Sequence, residues 1–288
     1  PRFPLEETIM RLGAPIFETC DSPEAWVTAV RRAGYSAAYC PVDNAVPEDV
    51  ARAYADAAKE AGIVIAEVGA WSNPMSPDEP TRKQALDRCT KQLALAEIVG
   101  ARCCVNIAGS RGQQWDGPDP ANLTDETFDL IVETVRNIID AVNPTRTYYS
   151  LETMPWMYPD SADAYVRLVK AIDRKGFAVH LDPTNLVCSP QRYFNNGALI
   201  TECFQKLGPH IRSCHGKDIL LQSALMTHLD EVRPGLGRLD YGTFLRELSK
   251  LEPDAPLMLE HLPSAEEYKQ AAAYVRGVAR DMGLAFLE

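Results

Sequence analysis

Large apolar residues fall on every second position in short runs along this chain. Between those runs they recur three and four apart over longer stretches. The first pattern is that of strands, whose successive side chains point to opposite faces, and the second is that of helices with one buried stripe. Strands are expected at Met10–Phe17, Tyr35–Pro41, Ile63–Ala70, Arg102–Ala108, Thr147–Glu152, Phe177–Asp182, Ile211–His215 and Pro256–Glu260. Helices are expected at Pro23–Ala33, Pro47–Ala61, Pro80–Val99, Thr124–Val142, Ser161–Arg174, Ala198–Leu207, Tyr241–Leu251 and Ala265–Met282. Asp21-Ser22 caps the first helix, while Gly62, Gly100 and Gly208-Pro209 stop later ones. Eight strands, each followed by a helix, make a closed parallel barrel the economical arrangement. The predicted fold is therefore α/β, a single (β/α)8 barrel domain over residues 1–288.

Eight units in 288 residues average 36 residues each, a little above the roughly 31 of a 250-residue barrel. The surplus lies after strands, in WSNPMSPDEP, GSRGQQWDGPDP, DPTNLVCSPQRYFNN and KDILLQSALMTHLDEVRPGLGRLD. Those loops form the mouth at which such barrels bind ligands.

Composition narrows the class. Apolar residues make up 46% and charged residues 24%, the balance of a globular protein. No apolar run approaches a membrane span, and PRFPLEETIMRLG lacks a signal-peptide core. A net charge of −11 without a basic stretch argues against nucleic acid as partner. The eight cysteines form no CxxC pair, so they read as buried reduced thiols of a cytoplasmic protein, not as a disulfide framework.

The ends of the last four strands carry the chemistry. They read YYSLE, VHLD, RSCH and LMLE, and deliver Glu152, Asp182, His215 and Glu260. Successive members are 30, 33 and 45 residues apart, one βα unit each. Four neighbouring strands thus bring three carboxylates and an imidazole to one rim, a set suited to a hard or borderline divalent ion. Without a cation, carboxylates this close repel one another. In FAVHLDPTN, His180 and Asp182 share one face of a strand that Pro183 ends. Asp182 also suits a turn, since Asp-Pro-x-Asn is good turn chemistry.

SLETMPW, HLDPTN, CHGKD, PGLGRLDY and LEH, in that order and spacing, resemble the landmarks of the xylose-isomerase-like barrels. The resemblance extends over nearly the whole chain. It implies that Glu152, Asp182, His215 and Glu260 bind one divalent ion, manganese first, with cobalt, magnesium or zinc as alternatives. In the ketose 3-epimerase branch, the glutamates matching Glu152 and Glu260 are also the acid/base pair. Asn185 stands where that branch carries a substrate-binding histidine. The implied activity is metal-assisted isomerisation or epimerisation of a sugar or polyol-derived carbonyl compound. Dehydration of a keto-polyol is the alternative on the same site, and an endonuclease-type hydrolase is the third reading. The resemblance also implies a homo-oligomer.

Other side chains are candidates by position. Lys217 shares the face of His215 and reaches either substrate oxygen or a carboxylate. Trp71 and Trp156 follow strand ends and offer faces to a sugar ring. Asn106 ends the fourth strand and either meets a hydroxyl or caps GSRG; His228 and Arg238 lie in the long loop after the seventh. His180 is either a histidine that orients a ligand or a satisfied core residue. Asp218 reads as a loop residue or one that supports a ligand, and no strong anion cradle for a phosphorylated substrate is visible, with Arg111, Arg192 and Arg233 the arginines available for one. His261 points away from Glu260 if alternation continues.

Overall fold

The structure is a computed structural model that describes residues 9–287; residues 1–8 and 288 of the predicted domain lie outside the described residues. Eight parallel strands form the barrel. The first seven are β1 (Ile9–Gly13), β2 (Ala37–Tyr39), β3 (Val64–Gly69), β4 (Cys103–Asn106), β5 (Tyr149–Glu152), β6 (Phe177–Leu181) and β7 (Ile211–Gly216). A hairpin of β8 (Asp218–Leu221) and β9 (Leu229–Val232) intervenes before the eighth barrel strand, β10 (Pro256–Leu259). Each barrel strand pairs with its neighbour, and β10 pairs with β1 to close the ring, with Leu12 opposite Leu257. The outer layer is α1 (Pro23–Arg32), α2 (Glu48–Glu60), α3 (Glu79–Val99), α4 (Asp125–Val142), α5 (Ala162–Ile172), α6 (Pro190–Phe194), α7 (Asn196–Leu207), α8 (Tyr241–Leu248) and α9 (Ala265–Asp281).

Local chemistry sets these boundaries. The side chains of Ser22, Thr124, Ser161 and Ser264 each accept from the backbone N–H three residues on, which starts α1, α4, α5 and α9. Gly100 ends α3 in the left-handed region at φ 67°. β1 stops at Gly13, four residues before its predicted end, because Pro15 cannot donate to a ladder. A Cβ on Gly13 would lie 2.5 Å from the Ala37 carbonyl oxygen and 2.6 Å from Met258 Sδ, so β1, β2 and β10 meet closely there.

Three features depart from the predicted elements. The antiparallel hairpin β8–β9 rises from the loop after β7. A two-residue strand β11 (Ala285–Phe286) adds to β1, and the short α6 precedes α7. The reading of the cysteines as buried holds for five of the eight; Cys20 and Cys40 are half-buried and Cys188 is exposed, and all eight are free. No helix among the described residues is long and apolar enough to cross a membrane.

The core lies between barrel and helices, and Tyr165 shows how the two layers are tied. Its buried hydroxyl donates toward the carbonyls of Leu151 (2.6 Å) and Ala178 (3.0 Å) and accepts from the N–H groups of Leu151 and His180, both at 3.2 Å. It thereby pins β5 to β6 just below Glu152 and Asp182. Tyr165→Phe leaves those groups short of a partner, so a stability loss of about 1–3 kcal/mol is expected. Urea unfolding should show a lower midpoint with an unchanged slope.

Candidate metal centre

Glu152, Asp182, His215 and Glu260 converge at the C-terminal rim. One ligand atom from each lies within 4.8 Å of the others, and all four residues are buried. His215 Nδ1 is 3.0 Å from Glu152 Oε1 and 2.9 Å from Glu260 Oε1. Asp182 makes the turn expected of it and also lies in the cluster. Its Oδ1 accepts from the N–H groups of Thr184 (2.8 Å) and Asn185 (3.3 Å), closing the turn after β6. Its Oδ2 faces the cluster.

Lys217 enters the same cluster. Its ammonium is 2.8 Å from Asp182 Oδ2, 2.7 Å from Glu260 Oε1 and 3.8 Å from Glu152 Oε1. Of the two roles expected of Lys217, contact with substrate oxygen or pairing with a carboxylate, the structure shows the pairing. Asp182 Oδ2 and Glu260 Oε1 are buried against this ammonium, and Glu260 Oε1 also against His215 Nδ1. These contacts are ionic. Three carboxylates and one imidazole with ligand atoms this close fit a divalent cation, and Lys217 together with such an ion balances their charge.

The electrostatics agree. Burial raises the Asp182 carboxyl; Lys217 opposes this, Glu152 and Glu260 reinforce it, and the net is a shift up to about 6. Burial also opposes ionisation of Glu260, but His215 and Lys217 hold it well below the usual carboxylate range. Glu152 ends below its ordinary value too: burial and Glu260 push it up, and His215 and Lys217 more than offset them. Burial lowers Lys217, and Asp182, Glu260 and Glu152 raise it well above the usual lysine value.

Glu67 was not foreseen. It lies in the middle of β3 and is 1% exposed. Its carboxylate bonds His180 Nε2 at 2.8 Å, His215 Nε2 at 3.1 Å and the Ser213 hydroxyl. His180 thus bonds Glu67 and not Asp182, with its ring 4.1 Å from that of His215. The group Glu67–His180–His215 also has metal-ligand proximity. Each of its carboxylate oxygens is already bonded to a histidine, however, so it reads as the support of His215.

Asn185 faces the site: its amide donates toward Glu152 Oε1 (3.3 Å) and the Thr153 carbonyl (3.0 Å). Trp71 and Trp156 line the cavity above the cluster. Three expected contacts are corrected. Asn106 is fully buried and spends its amide on the backbone of Ser72, accepting from its N–H (3.2 Å) and donating to its carbonyl (3.3 Å). His228 is exposed next to β9, away from the cavity. Arg238 is exposed on the α6–α7 side, where its carbonyl accepts from Asn196. Asp218 accepts four backbone N–H bonds, from Ile219, Gly235, Gly237 and Leu239, and so shapes the PGLG turn. His261 does reach the site, contrary to the alternation argument. The strand ends at Leu259, His261 adopts φ 59°, and its Nε2 lies 3.6 Å from Glu260 Oε2.

Comparison with known proteins places the chain. No curated protein matches the sequence. Solved structures match over nearly their whole length at low identity, which shows the fold alone. D-psicose 3-epimerase from Clostridium cellulolyticum H10 is 16% identical, with TM-score 0.66, over 93% of this chain and 99% of that one. A xylose isomerase-like barrel from Mycobacterium smegmatis, in complex with magnesium, is 18% identical, with TM-score 0.66, over 94% and 97%. Endonuclease IV from Thermus thermophilus is 13% identical, with TM-score 0.69, over 94% and 99%. The family model of the xylose isomerase-like TIM barrel matches residues 27–278, and with the closed barrel and the rim cluster in view, this chain belongs to that family.

Proposed function

We propose that this protein is a divalent-metal-dependent isomerase or epimerase of a sugar or polyol-derived carbonyl compound. One observation carries the reading. Two buried carboxylates, Glu152 on β5 and Glu260 just after β10, flank His215 Nδ1 at 3.0 and 2.9 Å and line the same cavity. Between β5 and β10 in the barrel stand β6 and β7, so the two glutamates approach from opposite flanks.

Glu152, Asp182, His215 and Glu260 would hold the ion, manganese first, then cobalt, magnesium or zinc. Such an ion supplies positive charge opposite oxygens on which negative charge develops during enolisation. Glu152 and Glu260 take and return the proton next to the carbonyl: His215 and Lys217 favour the ionised form that accepts it, and for return to the opposite face the partner glutamate starts protonated and delivers its own proton. Return to the opposite face epimerises, and return to a neighbouring carbon isomerises. Asn185, bonded to Glu152, orients that carboxylate and offers polar contact to a hydroxyl. Glu67 keeps His215 Nε2 occupied, so Nδ1 is the nitrogen turned to the centre. Glu67→Gln is expected to weaken manganese affinity roughly 10–100-fold, measured by calorimetry.

A phosphodiester substrate, suggested by the endonuclease neighbour, is opposed by the cavity's lining. Its cations Arg88, Lys217 and His261 are all paired with acidic groups. Arg111, Arg192 and Arg233 bond the Met75 carbonyl, the Leu186 carbonyl and Glu267, outside it. The reading is tested by incubating manganese-loaded protein in D2O with free ketoses, inositol ketones and hydroxypyruvate. Deuterium should enter at the carbon beside the carbonyl of at least one. No uptake across the panel contradicts the reading.

A further inference from the structure

The cavity above the cluster is about 1050 Å3. That is the upper end of the roughly 300–1,000 Å3 that enclose drug-sized ligands, and far more than one free hexose fills. Its wall is not uniform. Trp71, Trp115 and Trp156 come from the loops after β3, β4 and β5, three consecutive units of the rim. Each lines the cavity and keeps 39–40% of its surface exposed. Three half-exposed indoles therefore share one arc of the cavity wall.

The segments that carry these rings are held in place. The Trp156 indole donates to the Asp116 carbonyl at 2.7 Å, which ties the β5 loop to the residue after Trp115. The Trp115 carbonyl accepts from the Ser110 N–H at 2.9 Å. Asn106 grips the backbone of Ser72, directly after Trp71, from both sides. The Trp71 indole folds back over Gly69, where a Cβ would lie 2.4 Å from its Nε1. Only glycine leaves that space.

We propose that Trp71, Trp115 and Trp156 form an outer subsite for a second ring, so that the substrate is an uncharged glycoside of a keto-sugar. Its carbonyl end lies between Glu152 and Glu260, and its glycosyl ring stacks on the indoles. This rests on the reading of the rim cluster as a carbonyl-polyol centre. Aromatic faces suit the C–H surface of a sugar ring. Charge excludes an anionic second group: Glu18, Asp43, Asp116 and Glu231 line the cavity, and its cations are already paired.

Two probes test this with the manganese-loaded protein: D-fructose, and isomaltulose, which is fructose carrying a glucosyl ring. Calorimetry and indole fluorescence are read for each. Isomaltulose should bind roughly 2–10-fold more tightly than fructose, the scale of one good ring stack. The preference should fall toward one in Trp71→Ala and Trp115→Ala. Trp156→Phe removes the bond to Asp116 but keeps a ring, so it should retain part of the preference. Equal affinity for both probes, binding of neither, or a preference untouched by the tryptophan variants overturns the subsite. Deuterium uptake into fructose is scored separately. Its presence with no preference leaves the carbonyl-polyol reading standing and removes only the subsite. A tryptophan-dependent preference without deuterium uptake into either probe sustains the subsite and counts against the chemistry.

Discussion

Glu152→Gln and Glu260→Gln proteins should turn over substrate roughly 10²–10⁴-fold more slowly than the parent, and saturating manganese should not restore the rate. The substitution keeps the size of the side chain and one ligating oxygen, and removes the base. Both carboxylates are buried beside His215 and Lys217, which stabilise their ionised forms. A glutamine at either place removes a carboxylate partner of His215 and Lys217, so some stability is lost, and a thermal melt of each variant is read beside its rate. If the glutamates only hold the ion, affinity falls and excess metal recovers the rate. If they carry protons, the rate stays low at saturation. The two variants should also differ in deuterium wash-in, because each carboxylate serves one side of the substrate. Near-normal rates in both at saturating metal would move the bases elsewhere, with Lys217 next to be tested.

Removal of metal should have a comparable effect. Exhaustive chelation is expected to abolish activity, and manganese, cobalt or magnesium to restore it. Asp182→Ala should do the same without a chelator. It deletes the oxygen that lies 2.8 Å from the Lys217 ammonium, together with the turn-closing acceptor of Thr184 and Asn185. Because that second loss is structural, Asp182→Asn is the companion variant. It keeps an acceptor for the turn while removing the charge, so it should fold like the parent and bind manganese weakly. Full activity of chelated protein with no bound ion would contradict metal dependence.

Much of this was legible in the chain because strand ends and helix ends are written in local chemistry. FAVHLDPTN shows both the alternation and its stop, and Asp182 appears where such a stop places it. Regular βα spacing then sets Glu152, His215 and Glu260 beside it. What alternation misses is what the chain does once it leaves the strand. His261 enters the left-handed region, and its side chain turns back toward Glu260. The hairpin β8–β9 was hidden because its strands are four residues each and its second, LDEV, has no buried residue. His228 and Arg238 could not be placed for the same reason. Asn106 was expected at a hydroxyl, but its neighbour in space is the backbone of Ser72, 34 residues earlier in sequence. Glu67 had a signal that went unread: a carboxylate inside the apolar run VIAEVG. A charge in such a run needs a buried partner, and the partners His180 and His215 lie on strands far along the chain.

Whether the rim cluster is a divalent-cation site is decided by anomalous scattering from manganese-soaked crystals. One strong peak is expected, enclosed by Glu152, Asp182, Glu260 and His215 Nδ1, and absent from crystals of Asp182→Asn. A map with no peak among these four residues, from protein that still exchanges the substrate proton at full rate, would show that the cluster serves some other purpose.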